Sequence, residues 1–256
     1  MTKIIGHRAE TSPRFKARMA GVFYVLTAFT SVAGGSFIPG KLVVYGNTVA
    51  TAHNILAHQS LFQLAFVIML VAVLSSIVMT ALFYDLFRPV NKSLSLTAAF
   101  THLVGLAILA FGSLLQIAPL VVLHGGQYLS VFKPEQLQAL AYLLLQLNVL
   151  AGNTFIIFFG CYCVMIGCLI FRSAFMPRVI GALMMFAGLG YLTFLWPPLA
   201  DYLSPYNLAA AAPGELSLML WLLIAGVNDL RWKEQAGAAS NPPSIANRSE
   251  PVGHLF

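Results

Sequence analysis

The clearest structural signal in this chain is residues 137–171, LQALAYLLLQLNVLAGNTFIIFFGCYCVMIGCLIF, a run of 35 residues without one Asp, Glu, Lys or Arg. About 20 mostly apolar residues are enough for an α-helix to cross the roughly 30 Å hydrocarbon core of a bilayer. The run therefore predicts a transmembrane helix. Because it is too long for one upright crossing, we expect its first part to tilt or to lie outside the core, with Gly152 as a place to bend.

The composition of the whole chain agrees with a membrane protein. Of the 256 residues, 59% are hydrophobic and 9% are charged, whereas about a quarter of the residues in a soluble domain are charged. The net charge of +6 does not indicate a nucleic-acid partner, because the basic residues stand singly between apolar stretches and form no patch with interleaved aromatic residues. Such a distribution suits loops that face anionic lipid, so the predicted partner is the bilayer itself.

Six apolar segments reach the length of a membrane span. They predict an all-α fold, a polytopic transmembrane bundle of six spans in three helical hairpins that open to the outside. The segments are Ala17–Ile38, Ser60–Phe87, Leu94–Leu123, Leu137–Phe171, Val179–Trp196 and Asn207–Asn228. Residues 17–232 thus form the predicted six-helix domain. Residues 1–16 and the polar, proline-bearing stretch 233–256 are predicted to be disordered cytoplasmic termini.

The positions of the basic residues predict the orientation. If the N-terminus is cytoplasmic, twelve of the fourteen Lys and Arg residues lie on the inner side, and only Lys41 and Lys133 lie outside. This asymmetry follows the positive-inside rule and places both termini in the cytoplasm of a bacterium, on the inner side of its cytoplasmic membrane. One alternative stays open: the basic start, the apolar run Ala20–Thr30 and the small residues 31–33 also resemble a cleavable signal peptide, whose removal would leave five spans.

Several stretches along the chain together resemble one family, the bacterial membrane proteins catalogued as domain of unknown function 4386. The stretches that carry the resemblance are ARMAGVFYVL (17–26), NILAHQSLFQL (54–64), FRPVNKSLSL (87–96), FKPEQLQALAYLLL (132–145), FFGCYCVMIGCLIFRSAFMPRVIG (158–181) and GELSLMLWLLIAGVN (214–228). Two positions depart from the family pattern: Gln59 stands where an acidic residue is common, and Tyr162 where His is frequent. The resemblance implies a fold and no mechanism.

A first set of polar residues is predicted near the outer face. Glu215 lies about 21 Å from the inner boundary at Asp229, and ionisable groups inside a bilayer are functional candidates by default. We expect a polar pocket to gather His58, Asn54, His124, Asn153 and Glu215. His53 lies on the same side, but His53 and His58 are about 140° apart around a helix and cannot easily chelate together, so no metal site is predicted. The alternative is that the histidines only mark the interfacial zone and that Glu215 joins helices through hydrogen bonds.

A second candidate site lies toward the inner side, where His102 and Asp85 are expected. One interpretation is a proton relay; the other pairs Asp85 with Arg88 and hydrogen-bonds His102 to a neighbouring helix. A transmembrane haem needs two facing histidines at matching depth, and His102 has no such partner. No cofactor is predicted, and motifs of the Walker, Rossmann and GxSxG types are absent.

Three hypotheses of function remain. The first is binding or transport of a small apolar or lipid-like ligand in the outer-facing pocket. The second is a structural or regulatory membrane partner without chemistry of its own. The third is an intramembrane enzyme that uses Glu215 or His58 as an acid–base group, although the chain offers no convincing nucleophile or metal set.

Overall fold

A computed structural model describes residues 12–240 of the chain. Six of its helices are long and apolar enough to cross a membrane, which confirms the all-α bundle of six spans: α1 (Pro13–Leu42), α3 (Gln59–Phe87), α4 (Lys92–His124), α5 (Pro134–Arg172), α6 (Arg178–Leu195) and α8 (Tyr206–Ile224). The other helices are α2 (Thr48–Ala57), α7 (Pro197–Leu203) and α9 (Asp229–Ser240). No β-strand is found within the described range.

The six spans run alternately up and down and form a closed ring. Each span packs against the next in the chain, and α8 packs back against α1. We call the end of the bundle that holds Pro13, Phe87 and Arg172 the basic end. The opposite end, which holds the connections 43–58, 125–133 and 196–205, is the distal end. The three hairpins therefore have their connections at the distal end.

The basic end is closed by contacts between the two ends of the described chain. Ser12 caps α1, since its Oγ accepts a hydrogen bond from the Phe15 amide. The Asp229 carboxylate accepts one from the Arg14 amide at 2.8 Å. The indole Nε1 of Trp232 donates to the Leu86 carbonyl at 2.8 Å. These contacts fix both ends of the described chain against the bundle.

The predicted limits of disorder are therefore wrong where the structure describes them. Helix α1 already begins at Pro13, inside the stretch 1–16 that was expected to be disordered. Helix α9 continues to Ser240, into the stretch predicted to be disordered from residue 233. Residues 1–11 and 241–256 lie outside the described residues.

The basic half of the ring is filled with side chains. Its buried cluster draws residues from all six spans, among them Tyr24, Phe83, Tyr162, Ile166 and Leu218. Aromatic rings meet edge to face, as between Tyr24 and Phe83, whose ring centroids lie 6.3 Å apart. Because edge-to-face contact is a favoured arrangement of aromatic rings, this half is a packed core rather than a channel.

Close backbone contact joins α5 to α6. A Cβ at Gly188 would lie 2.6 Å from the Gly160 carbonyl oxygen, and one at Gly181 would lie 2.7 Å from the Gly167 oxygen. Gly160 and Gly167 thus form a packing stripe against α6, since small residues let transmembrane helices approach closely. Gly152 does not belong to it, because a Cβ there would meet nothing within 4 Å.

Helix α5 is unbroken over 39 residues and remains α-helical through Gly152. At a rise of 1.5 Å per residue it is about 58 Å long, nearly twice the thickness of a hydrocarbon core. Its distal end is tied to the rest of the protein by a hydrogen bond from the Gly46 amide to the Tyr142 hydroxyl, at 2.9 Å. The excess length therefore projects at the distal end.

Candidate functional site

A cavity of about 430 Å³ occupies the distal half of the ring. Its walls come from α1, α4 and α5, with Met69 of α3 at one side. The lining is partly apolar, but it also contains a set of uncharged polar side chains: Ser31, Ser36, Ser113, Gln116, Gln146, Asn148 and Asn153. No residue of α6 or α8 lines it. An uncharged polar cavity in a membrane domain requires a physical account, because polar groups in hydrocarbon are costly unless they are paired.

One wall of the cavity is an irregular turn of α1. Residues Ala33–Phe37 form a π-helical turn inside this helix, an arrangement that is frequent at functional sites. Gly34 in this turn lies against α3, since a Cβ there would be 2.8 Å from the Ala65 carbonyl oxygen. On the opposite side, the Nε2 of Gln116 on α4 donates a hydrogen bond to the Gly34 carbonyl at 3.0 Å. The turn is thereby held between two helices.

Amide side chains of α5 form the facing wall. The Asn148 Nδ2 donates to the Gly112 carbonyl of α4 at 2.9 Å, so this amide joins two helices, as uncharged amides in membranes commonly do. In the described part of the chain, the amides of Gln146 and Asn153 have no hydrogen-bonding partner. Two amides are therefore available to a bound molecule.

Only Asn153 of the five residues predicted to share an outer pocket lines this cavity. The Asn54 Nδ2 donates to the Leu42 carbonyl at 3.2 Å and so joins α2 to the end of α1. His58 and His124 are exposed, and the Nδ1 of each lies within hydrogen-bonding distance of the carbonyl four residues earlier on its own chain segment, Asn54 and Leu120. The five residues therefore do not form the expected common pocket. The two histidines make hydrogen bonds to nearby backbone carbonyls at helix ends instead.

Glu215 lies in a separate cluster, between α1, α6 and α8. The Tyr191 hydroxyl of α6 donates a hydrogen bond to its Oε1. Tyr24 of α1, which is 3% exposed, is a second phenol that interacts with the same carboxyl group. Cys163 of α5 lies close enough to interact electrostatically with it. The sequence singled out Glu215 but gave no sign of these three partners.

His102 and Asp85 belong to two different environments. His102 is 1% exposed; its Nδ1 lies 2.8 Å from the Thr80 hydroxyl of α3, and its ring stacks on that of Tyr162 with 4.2 Å between the centroids. Asp85 lies at the basic end, 3.0 Å from Lys16 Nζ and 3.9 Å from Arg88 Nη1. The contacts of the second interpretation, of His102 with a neighbouring helix and of Asp85 with Arg88, are present, and Lys16 is an additional partner of Asp85.

Metal ligands do not cluster in the described residues. Within residues 12–240 there is no group of three or more His, Cys, Asp or Glu side chains that could hold a metal ion. Cys161 and Cys163 form a CxC pattern, but side chains two residues apart on a helix point about 200° apart, so these two thiols cannot coordinate one ion together. The described arrangement thus offers hydrogen bonds and apolar contact rather than coordination.

Six long apolar helices that pack in a closed ring define a multi-pass integral membrane protein. The chain belongs to the family described as Domain of unknown function (DUF4386), whose model matches residues 19–226. The match covers all six spans, from the first turns of α1 to the end of α8. No curated protein and no solved structure matches the chain.

Proposed function

We propose that this protein binds a small uncharged amphiphile in the distal cavity. The observation that carries the proposal is the pairing of an apolar cavity wall with amides that have no partner in the described chain, those of Gln146 and Asn153. A volume of about 430 Å³ lies within the usual range of small-molecule sites, which are mostly apolar with a few convergent polar groups.

The lining argues for the chemical class of the ligand. None of the lining residues is Asp, Glu, Lys, Arg or His. A charged ligand group would be left without a counter-charge in a low-dielectric site, which is costly. A hydroxyl, ester or amide group can instead exchange hydrogen bonds with the side chains of Gln146 and Asn153. The ligand that fits is therefore apolar over most of its body and carries one neutral polar head.

The shape of the ring favours entry from the lipid. Helices α6 and α8 contribute nothing to the lining, so on that side the cavity lies between α1 and α5 alone. A molecule dissolved in the bilayer can reach it laterally without crossing an aqueous phase. This route suits an apolar ligand, which partitions into lipid before it binds.

We place the protein in the bacterial cytoplasmic membrane with the basic end at the cytoplasm. Among the described residues the distal end holds two basic side chains, Lys41 and Lys133, whereas the basic end holds nine: Arg14, Lys16, Arg18, Arg88, Lys92, Arg172, Arg178, Arg231 and Lys233. At that end Asp85 forms a salt bridge with Lys16, and the Asp229 carboxylate accepts a hydrogen bond from the Arg14 amide. This asymmetry is the one expected for cytoplasmic loops. The cavity then lies in the outer leaflet half of the bilayer.

The test is photo-crosslinking in a defined membrane. The full chain is reconstituted in phosphatidylcholine nanodiscs and exposed to a diazirine analogue of monooleoylglycerol, a neutral amphiphile. We expect crosslinked peptides from the cavity-lining parts of α1 and α5, and competition by unlabelled monooleoylglycerol. Labelling confined to lipid-facing residues contradicts the proposal and favours a structural or regulatory role.

A blocking variant makes the test specific. Gly152 lines the cavity, and a side chain added there meets nothing within 4 Å. Gly152→Phe should therefore fill the cavity without disturbing the fold and abolish specific crosslinking. Leu150→Phe is the matched control, because Leu150 is 61% exposed on the same helix and does not line the cavity. Equal crosslinking in both variants would rule the cavity out as the binding site.

A further inference from the structure

Glu215 is a carboxyl group within a membrane span, and no cation of the described residues forms a salt bridge with it. The span is Tyr206–Ile224, and in the described residues the only salt bridges are those that Asp85 makes with Lys16 and Arg88. Glu215 is half-buried in the first part of the helix Ala212–Ile224. An ionised side chain in hydrocarbon normally has a partner of opposite charge, so this carboxyl group needs another explanation.

Glu215 interacts with two phenols and a thiol from other helices. Helix α8 packs against α1 and α6. From α6, Tyr191 donates its hydroxyl proton to Oε1; from α1, the phenol of Tyr24 interacts with the carboxyl group; from α5, the thiol of Cys163 lies nearby.

The cation that forms a hydrogen bond with α8 lies far from Glu215. Arg18 of α1 donates to the Ile224 carbonyl at the basic end of the helix. Ile224 is nine residues from Glu215, or about 13 Å along the axis. On α8 itself, the Ser217 hydroxyl donates its hydrogen bond to the Gly214 carbonyl. Within the described residues, the side chains that interact with Glu215 are thus phenols and a thiol and include no cation.

Such a site accommodates both protonation states. When the carboxyl group is ionised, the phenol of Tyr191 donates to it, and a hydrogen bond to a charged group is stronger than one between neutral groups. When it is protonated, Oε1 still accepts from Tyr191 and the bilayer no longer contains a buried charge. We propose that Glu215 is a reversible proton-binding site, independent of any ligand in the distal cavity.

The carboxyl group lies midway along its span. Glu215 is nine residues from each end of Tyr206–Ile224, and Ala212, Pro213 and Leu216 around it are exposed at the surface of the bundle. Its partner Tyr24 lies on α1, nine residues before the π-helical turn that lines the distal cavity.

The experiment measures the protonated fraction directly. The full chain in phosphatidylcholine vesicles is treated with dicyclohexylcarbodiimide, an apolar reagent that modifies protonated carboxyl groups, over a series of pH values, and modified peptides are quantified by mass spectrometry. We expect Glu215 to be modified at low pH and to lose modification through a single one-proton transition as the pH rises. Modification that is the same at every pH, or absent at every pH, overturns the proposal.

Two variants separate proton binding from a structural role. Tyr191→Phe removes the donor to the carboxyl group and should move the midpoint of the transition by about one pH unit. Tyr206→Phe, an exposed tyrosine on the same span, should leave it unchanged. Infrared spectra of the wild type provide a second measurement that needs no variant: the carboxylic acid band that disappears with rising pH must be missing in Glu215→Gln. A band that persists in Glu215→Gln, or equal midpoints in the two tyrosine variants, contradicts the assignment.

Discussion

The imidazole of His102 donates its Nδ1 proton to the hydroxyl of Thr80. The Thr80 Oγ1 lies 2.6 Å from the Ser76 carbonyl and 2.8 Å from His102 Nδ1. A carbonyl oxygen can only accept, so the single hydroxyl proton of Thr80 is directed at Ser76, and the proton between Thr80 and His102 must come from the imidazole. The tautomer of a buried histidine thus follows from one threonine on another helix.

This relationship predicts that Thr80→Val destabilises the protein. Valine has nearly the shape of threonine but cannot accept the Nδ1 proton, which would leave a buried donor unpaired at a cost of about 1–3 kcal/mol. Thermal unfolding in detergent should show the loss, and Thr80→Ser, which keeps the hydroxyl, should recover most of it. Thr154→Val is the control, since the Thr154 hydroxyl bonds only to the Leu150 carbonyl of its own helix.

The glycine contact between α5 and α6 predicts opposite effects for two alanine substitutions. Gly188→Ala places a methyl group 2.6 Å from the Gly160 oxygen and should force the helices apart, with a lower yield of folded protein and a lower melting temperature. Gly152→Ala meets no atom within 4 Å and should be neutral or stabilising, because Ala exceeds Gly in helix propensity by about 1 kcal/mol. The same melting temperature for both variants would show that the close contact contributes nothing.

The Gln116 amide predicts a cost for removing a polar group from the membrane domain. Gln116 is 3% exposed and bonds to the π-helical turn at Gly34. Gln116→Leu keeps the size of the side chain but leaves the Gly34 carbonyl without this donor, so we expect a loss of about 1–3 kcal/mol together with weaker monooleoylglycerol crosslinking. Gln146→Leu is the comparison: it lines the same cavity without a partner in the described chain, so it should affect crosslinking and leave the melting temperature unchanged.

The proposed orientation predicts where reporter fusions will be active. A phosphatase or fluorescent reporter joined after Gly125, in the distal connection between α4 and α5, should report the outer side. One joined after Gly237, in α9 at the basic end, should report the cytoplasm. Activity of both fusions in one compartment would contradict the arrangement of six spans with cytoplasmic termini.

The spans were predictable because their signal is local. An apolar run of sufficient length forces a helix in a bilayer whatever it packs against, and the predicted start of the third span, Leu94, is two residues from the observed start at Lys92. Helix α2 was missed because its ten residues are too short to register as a span. Helix α9 was missed because its order depends on tertiary contacts such as the Trp232 hydrogen bond to Leu86.

The candidate site was less predictable because its contacts join distant residues. The sequence identified Glu215 and Asn153 as polar groups within spans, but not that they lie in different places. Gln116 was overlooked, although a lone amide in the apolar run of α4 is the kind of signal that marks a helix contact or a cavity. The pairing of Lys16 with Asp85, 69 residues apart, depends on how α1 lies against α3, which no local pattern records.

The length of α5 has a mechanical consequence. One rigid rod is anchored by glycines at one end and bears the amide-lined wall at the other, with its tip fastened through Tyr142 to the segment around Gly46. A slight rocking about the anchored part would be magnified toward the tip. A force applied from the aqueous phase to the connection after α1 would therefore move the distal part of α5 and change the width of the cavity beside Asn153.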